Sequence, residues 1–382
     1  MKSELSSVDV KHLAGELDEI LSGDRIQKIY ELSGKRLLFR THGDGGKKEL
    51  ILSPNWMFLT QYRRETPEHP TSYAMQLRKL LSGGIIDGVH QAGFERIIQL
   101  KVNAGGQAYT LIIELFSKGN VILTDPKGKI RGLLKWQKWR DRVLGVNQEY
   151  EYPPKRTSPY EVDEEMFRQV MNDSGRKTAS TLASKLGLPG DYAEEACLRA
   201  GVDKESKANK LNTQDLNRLH ESFREVVEGF SQPTKPVLYY NGDEKMTVLP
   251  YPLQVYGDCR MESPDSFNQA LDEYFSEKTF NEKKEVLEDK LDEEKTRLEK
   301  RLEKQQQGLA RMKESEVDDK KRGDLIYQHM NEVNELLEAV SAARAKGLSD
   351  EEIKETLERH KDVQAAKYFS DIDKNKLTLD LK

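Results

Sequence analysis

Between residues 280 and 346 the apolar side chains are spaced for the seam of a long helix. Leu287, Leu291, Leu298, Leu302, Leu309 and Met312 recur at roughly heptad-compatible intervals, amid nearly balanced Glu, Asp, Lys and Arg. A second helical series follows with Leu325, Ile326, Met330, Val333, Leu336, Leu337 and Val340. Ser349 to Glu352 then caps a short helix, and Leu377 to Leu381 reads as strand. A single apolar stripe needs a partner helix. The sequence shows no return helix, so the expectation is a chain cut before that helix, with a homodimer pairing in trans as the alternative.

Composition agrees with a long solvated arm on a smaller core. Hydrophobic residues make up 36% of the 382 and can build a core, whereas 33% are charged. The mean hydropathy of −0.77 implies much polar surface. The net charge of −5, from 61 basic and 66 acidic residues, excludes a polycation, so any nucleic-acid contact must be a local patch. Cys197 and Cys259 are the only cysteines, too few for a zinc site with three or four cysteine ligands. They read as reduced thiols, with no metal and no cofactor implied. Met1 to Val10 lacks an apolar signal core and no run approaches a membrane span. The chain reads as soluble and cytoplasmic, without a membrane partner.

Upstream of the arm the period changes repeatedly. Ser6 or Ser7 opens a helix with Val10, Leu13, Leu17 and Ile20 on one face, ended by Gly23. Two hairpins follow, Ile26–Tyr30 with Arg36–Arg40, and Glu49–Leu52 with Met57–Gln61. Thr71 or Ser72 starts a short helix. Phe94–Val102, Ala108–Phe116 and Asn120–Thr124 read as strands, the last two joined by Ser117-Lys118-Gly119. Asp125-Pro126-Lys127-Gly128 turns into a strand over Ile130–Lys135, and Tyr150 to Pro154 marks a domain edge. From Glu161 to Gly229 the period is helical, with a capping-box-like start at Asp191 and Glu194, helix ends at Gly187 and Gly201, and a cap at Thr213. Short strands are expected over Lys235–Tyr256 and a helix over Ser266–Ser276.

No P-loop, dinucleotide fingerprint, metalloprotease motif or nucleophile elbow is present, and the seven histidines are scattered. Binding is favoured over catalysis. The most suggestive segment interleaves Arg131, Lys135, Lys138, Arg140 and Arg142 with Trp136 and Trp139, against a single Asp141. Cations neutralise phosphates and indoles stack on exposed bases; the alternative is a strand end whose tryptophans pack inward. Arg63-Arg64 with Arg78 and Lys79 either add a phosphate-binding edge or form a solvated face. Glu95 and Arg96 sit at a strand start, where neighbouring side chains point to opposite faces unless a strand end re-aims one.

Collinear stretches then resemble one family. They are Val8-Asp9-Val10 through Gly23, Tyr73 to Lys79, Phe94 to Ile98, Glu114 to Leu123, Tyr150 to Pro154, Ala270 to Phe275 and Gly323 to Tyr327. In order and spacing this is similar to NFACT proteins, over nearly the whole chain. The resemblance implies an α+β fold: a glycosylase-like antiparallel β-sandwich domain (1–176), a helix–two-turn–helix module with a small β closing segment (177–279), a coiled-coil arm (280–346) and a small tip (347–382). It also implies a ribosome-associated quality-control factor that binds stalled large subunits carrying peptidyl-tRNA. Such a factor recruits tRNA for untemplated C-terminal tailing, with alanine in archaeal and bacterial members. Its partners would be tRNA, peptidyl-tRNA, and the RNA and proteins of the large ribosomal subunit, with bond formation left to the ribosome. Asp9, Glu95 and Arg96 match the family's tRNA-handling positions, Glu95 standing where the family has Asp. The glycosylases of this fold need a proline amine after the initiator; here Lys2 and Ser3 follow Met1. An adhesion or interaction scaffold working through the coiled coil is the second functional alternative, and a glycosylase-like enzyme the last.

Overall fold

Helix α1 (Ser7–Leu21) starts where Ser6 and Asp9 close a reciprocal capping box, and it buries Val10, Leu13, Ala14 and Leu17 along one face. This is the first element of a computed structural model that describes residues 2–116, 118–140, 142–363, 365–374 and 376–381, apart from the side chains of 281–290 and Asp292. Ser117, Asp141 and the side chain of Leu287 therefore lie outside the described residues. The chain divides into two compact units, 1–282 and 283–382.

In the first unit β1 (Arg25–Leu32), β2 (Arg36–Gly43), β3 (Gly46–Leu52) and β4 (Met57–Leu59) form an antiparallel meander. Helix α2 (Ser72–Leu81), capped by Thr71, leads into β5 (Ile85–Gln91), β6 (Ile97–Ala104), β7 (Gln107–Glu114), β8 (Val121–Thr124) and β9 (Ile130–Leu133). The two meanders meet through the single register pair Arg25↔Ile85. That leaves the halves free to fold over each other as a sandwich. Leu37, Phe39, Leu50 and Leu52 of one half share a buried core with Leu100, Val102, Leu111 and Ile113 of the other. On the outer side of the second half, Ile97, Ile112 and Ile122 are covered by Ile130, Leu144 and Tyr150. Here β10 (Gln137–Lys138) and β11 (Val143–Leu144) make a short hairpin.

The β7–β8 turn shows why one glycine is required. A Cβ on Gly119 would sit 2.0 Å from the Glu114 carbonyl oxygen, 2.7 Å from that of Phe116 and 2.8 Å from that of Pro54. Backbone oxygens on three sides cannot swing away. Gly119→Ala is expected to lower stability by about 1–3 kcal/mol, seen as an earlier urea midpoint with unchanged slope. An unshifted midpoint would mean that the turn relaxes freely.

Helices α3 (Glu164–Asp173), α4 (Thr178–Lys185), α5 (Gly190–Ala200) and α6 (Thr213–Gly229) form the helical module, with Phe167, Leu182, Tyr192, Leu219, Phe223 and Phe230 in its core. The α4–α5 pair, joined by four residues, is the helix–two-turn–helix. Cys197 belongs to this core, and burial pushes its thiol up to about 12. Asn212, not Thr213, caps α6. The capping box expected at Asp191 and Glu194 is absent: Pro189 precedes α5 without a side-chain cap, and the Asp191 carboxylate instead accepts from the Tyr256 hydroxyl at 2.9 Å.

Strands β12 (Val237–Asn241), β13 (Glu244–Leu249) and β14 (Arg260–Glu262) close the unit beside the start of α7 (Phe267–Gln328). The helix expected over Ser266–Ser276 and the arm are one continuous element. Its first turn is capped from far away: Glu16 on α1 accepts from the amides of Phe267 (2.9 Å) and Asn268 (2.8 Å). Asn268 exchanges hydrogen bonds with the backbone of Leu59, and Asp272 accepts from Thr60 and Gln61. Phe275 stacks on Trp56 and Phe58. The N-terminal segment is stitched into the same place, with the Lys2 carbonyl accepting from Tyr274 and Lys278.

In the second unit Leu291, Leu298, Leu302, Leu309 and Met312 of α7 are all exposed, so the stripe read from the sequence is uncovered in a single chain. Helices α8 (Met330–Ala345) and α9 (Asp350–Arg359) and the hairpin of β15 (Phe369–Asp373) and β16 (Lys376–Leu379) bury a small core of Val340, Ile353, Phe369 and Ile372. Ser349 caps α9 in a full capping box with Glu352. Among the described residues no helix is long and apolar enough to cross a membrane.

Candidate nucleic-acid interface

A cleft of about 820 Å³ opens where the start of α1, the β5–β6 turn and the α4–α5 connection come together. Each wall follows from local chemistry. The turn between β5 and β6 is closed by Ala92 N–H to the Ile97 carbonyl (2.9 Å), with Gly93 in the left-handed region at φ +59°. Gln91 fastens it to α1, its Nε2 donating to the carbonyls of Ser7 (2.8 Å) and Glu95 (2.9 Å). Strand β6 begins only at Ile97, so Glu95 and Arg96 lie in the turn. The opposite-face objection from strand geometry therefore lapses. Both side chains line the cleft.

Arg96 pairs through Nη1 with Glu4 Oε1 at 2.5 Å, and Glu95 Oε1 accepts from the Arg156 amide at 3.2 Å. Both are half-buried, which leaves part of each charge open to a ligand. Asp9 is different. It is fully buried, accepting from the Ser6 amide (2.7 Å) and pairing with the Lys2 ammonium at 2.6 Å. Its other oxygen has no partner among the described residues. Asp9 thus caps α1 and holds Lys2 at the cleft wall, so direct ligand contact by Asp9 is corrected to a positioning role.

The far wall depends on Gly187, whose φ of +76° and whose would-be Cβ, 2.2 Å from the Thr157 carbonyl oxygen, exclude a side chain. Beyond it Pro189 and Gly190 lead into the first turn of α5, which no side chain caps among the described residues. Unpaired helix amides favour anions. The lining carries Lys2, Arg96, Lys155 and Arg156 against Glu4, Glu95 and Asp191, with Leu5, Phe94, Ile97 and Leu188 as apolar surface. Cations, free amides and apolar walls together suit a ligand that has phosphates and flat rings. Lys2, Glu4 and Arg156 carry no motif or period, and only the fold brings them to the cleft.

The other sequence-predicted residues lie elsewhere. Arg78 donates to the Ile29 carbonyl (2.6 Å) and covers the Tyr30 ring at 4.9 Å, while Lys79 is exposed beside it. Arg64 braces α7 through Ser276 and Asp272 and is no phosphate edge. Arg131, Lys138 and Arg140 are exposed, Lys135 and Trp139 half-buried, and Trp136 exposed. Arg142 is corrected outright. It is buried, bidentate to the fully buried Glu114 at 2.7 and 3.1 Å, and covers the Trp139 ring at 4.6 Å. No phosphate can reach it.

The fold sets a β-sandwich and a helix–two-turn–helix around a groove of mixed polarity. The sequence matches the NFACT N-terminal and middle domains over residues 6–380, and the chain belongs to this family. An archaeal Rqc2 homolog (aRqcH) from Methanocaldococcus jannaschii is 30% identical over 359 residues, covering 91% of this chain and 53% of the relative. The ribosome quality control complex subunit NEMF of Homo sapiens is 24% identical over 391 residues, 92% of this chain and 35% of that one. The chain thus spans about half the length of the archaeal relative and a third of the human one. Among solved structures, the fibrinogen binding protein from Staphylococcus aureus matches with a TM-score of 0.58 at 22% identity, over 71% of this chain and 98% of that one. The N-terminal part of the fibronectin/fibrinogen-binding protein from Streptococcus suis matches with a TM-score of 0.57 at 24% identity, over 72% and 100%. At these identities the likeness is one of fold.

Proposed function

We propose that this chain is the tRNA- and ribosome-binding part of a cytoplasmic quality-control factor. It engages large ribosomal subunits obstructed by peptidyl-tRNA and recruits tRNA for untemplated C-terminal alanine tailing, while the ribosome forms the peptide bonds. The observation that supports this most is the pinned turn that turns Glu95 and Arg96 into one cleft, at the positions matching the family's tRNA-handling pair. The names of relatives support the same reading, several being called ribosome quality control complex subunits and others Rqc2 homologs. A glycosylase-like activity is disfavoured because Lys2 stands where those enzymes need a proline amine, and its own ammonium is held by Asp9 and the Val248 carbonyl. The scaffold reading has one observation in its favour, the uncovered leucine stripe of α7.

Arg96→Ala should weaken tRNA binding about 10-fold or more, the worth of one charged hydrogen bond. The slope of log affinity against log salt should fall by close to one. Unchanged tRNA affinity in a folded Arg96→Ala protein would remove Arg96 from the site. Loss of all partner binding on deletion of residues 280–382, with no RNA bound by the β domain, would favour the scaffold.

A further inference from the structure

Trp136 leaves 67% of its surface in solvent, an arrangement the cleft does not use. The other tryptophans are sheltered: Trp56 is stacked between Phe58 and Phe275, and Trp139 lies under the Arg142 guanidinium. An indole that could gain by turning inward is instead held out by its flanks. Fully buried Asn120 grips one side, with Oδ1 accepting from the Lys135 amide (3.1 Å) and Nδ2 donating to the Lys135 carbonyl (2.6 Å) and to Gln137 Oε1 (2.7 Å). Gln137 in turn donates to the Lys118 carbonyl at 2.7 Å. On the other side the Trp139 amide donates to the Arg142 carbonyl (2.9 Å), and Arg142 is anchored on Glu114. Burying an amide and an ion pair is costly, and here both serve to fix a surface loop.

The sequence beside the indole is mainly basic, with Asp141 as the single acid that follows it. Residues 130–140 contain Arg131, Lys135, Lys138 and Arg140 and no acid. Among the described residues, the surface salt bridge of this group is Arg131 to Asp125 at 4.0 Å. An exposed ring bordered by Lys135, Lys138 and Arg140, which have no salt bridge among the described residues, complements an unstacked base with its neighbouring phosphates. A duplex offers no free base face, whereas a single strand or loop does. A protein partner would be expected to bring acidic groups and a wider apolar surface.

We infer that the 131–140 segment is a second RNA contact, separate from the cleft, in which an unpaired base stacks on Trp136 while Lys135, Lys138 and Arg140 neutralise the adjoining phosphates. The inference stands apart from the tRNA reading of the cleft, because the two surfaces share no residue.

The probe is a 12-nucleotide single-stranded oligouridine or oligoadenosine, compared with a duplex of equal length. Stacking should quench the Trp136 emission, identified as the difference between the wild-type spectrum and that of Trp136→Phe. Trp136→Ala should bind the single strand roughly 5- to 100-fold more weakly, Trp136→Phe should retain most of the affinity, and the duplex should bind no better to wild type than to either variant. Because the ring is exposed, both variants should melt with the wild type. Arg96→Ala should leave the quench intact; its loss there would mean a single shared site and overturn the inference. Equal affinity of wild type and Trp136→Ala for the single strand would overturn it, as would a Trp136→Ala protein that keeps RNA but loses a ribosomal protein.

Discussion

An Arg142→Ala protein should lose about 3–5 kcal/mol of stability, the cost of breaking a buried ion pair from one side. The Glu114 carboxylate would remain fully buried, with the Tyr150 hydroxyl at 2.9 Å as its remaining close donor. The arginine also bonds the Glu151 carbonyl at 3.1 Å and covers Trp139. Its removal therefore loosens the hairpin and the chain leading into the cleft together. Chemical denaturation would read this as a large fall in midpoint. Joint replacement of Arg142 and Glu114 by leucine should recover much of the loss, since no stranded charge remains. A single variant within 1 kcal/mol of wild type, but deficient in RNA binding, would restore Arg142 to the phosphate contacts suggested by its position in the sequence.

Acidification should weaken the fold through His12. Burial lowers its pKa from 6.5 to about 4, overcoming the opposing pull of Asp9 and assisted by Lys11. Its Nδ1 lies 2.9 Å from Thr234 Oγ1, the ring meets Tyr251 edge-on at 5.5 Å, and Nε2 is buried without a partner among the described residues. The unfolded chain takes up a proton near pH 6.5, and the folded chain resists it until about pH 4. Over that window the unfolded state binds more protons, so stability falls as pH falls and then levels off. The full loss is about 3 kcal/mol, from the 2.5-unit gap at 1.36 kcal/mol per unit. His12→Asn, which can keep the bond to Thr234, should flatten the stability profile between pH 6.5 and 4. A profile of unchanged slope in that variant would assign the acid sensitivity to other groups.

How much of this was legible in the sequence depended on whether the information was local. Ser6, Thr71 and Ser349 announce their helices because capping is decided within four residues, and Gly201 likewise ends α5 in the left-handed region. The β5 strand was missed because Asp87-Gly88 and His90 interrupt its short apolar pattern. Phe94 to Val102 reads as an unbroken strand, and the turn that gathers Glu95 and Arg96 is enforced by Gln91 reaching to α1. Arg140 and Arg142 look alike in sequence; the partner that buries one of them lies 28 residues earlier. Asp9 was legible both as a cap and as a binding residue, and the Lys2 contact decides in favour of positioning.

The cap that Glu16 places on α7 also bears on how the protein is made. The carboxylate and the two amides it serves are separated by 251 and 252 residues. Lys2 likewise waits for Tyr274 and Lys278, 272 and 276 residues later. During synthesis at roughly 5–20 residues per second, the interval between the first partner and the last is on the order of tens of seconds. Throughout it the sandwich can gather its hairpins and hold α1 through Gln91 and Asp18, while Glu16 and Lys2 still lack these partners. The contacts of Glu16 and Lys2 with the root of the long helix are therefore among the last the first unit can make, added to bonds such as Gln91 to Ser7 that need no residue of that helix.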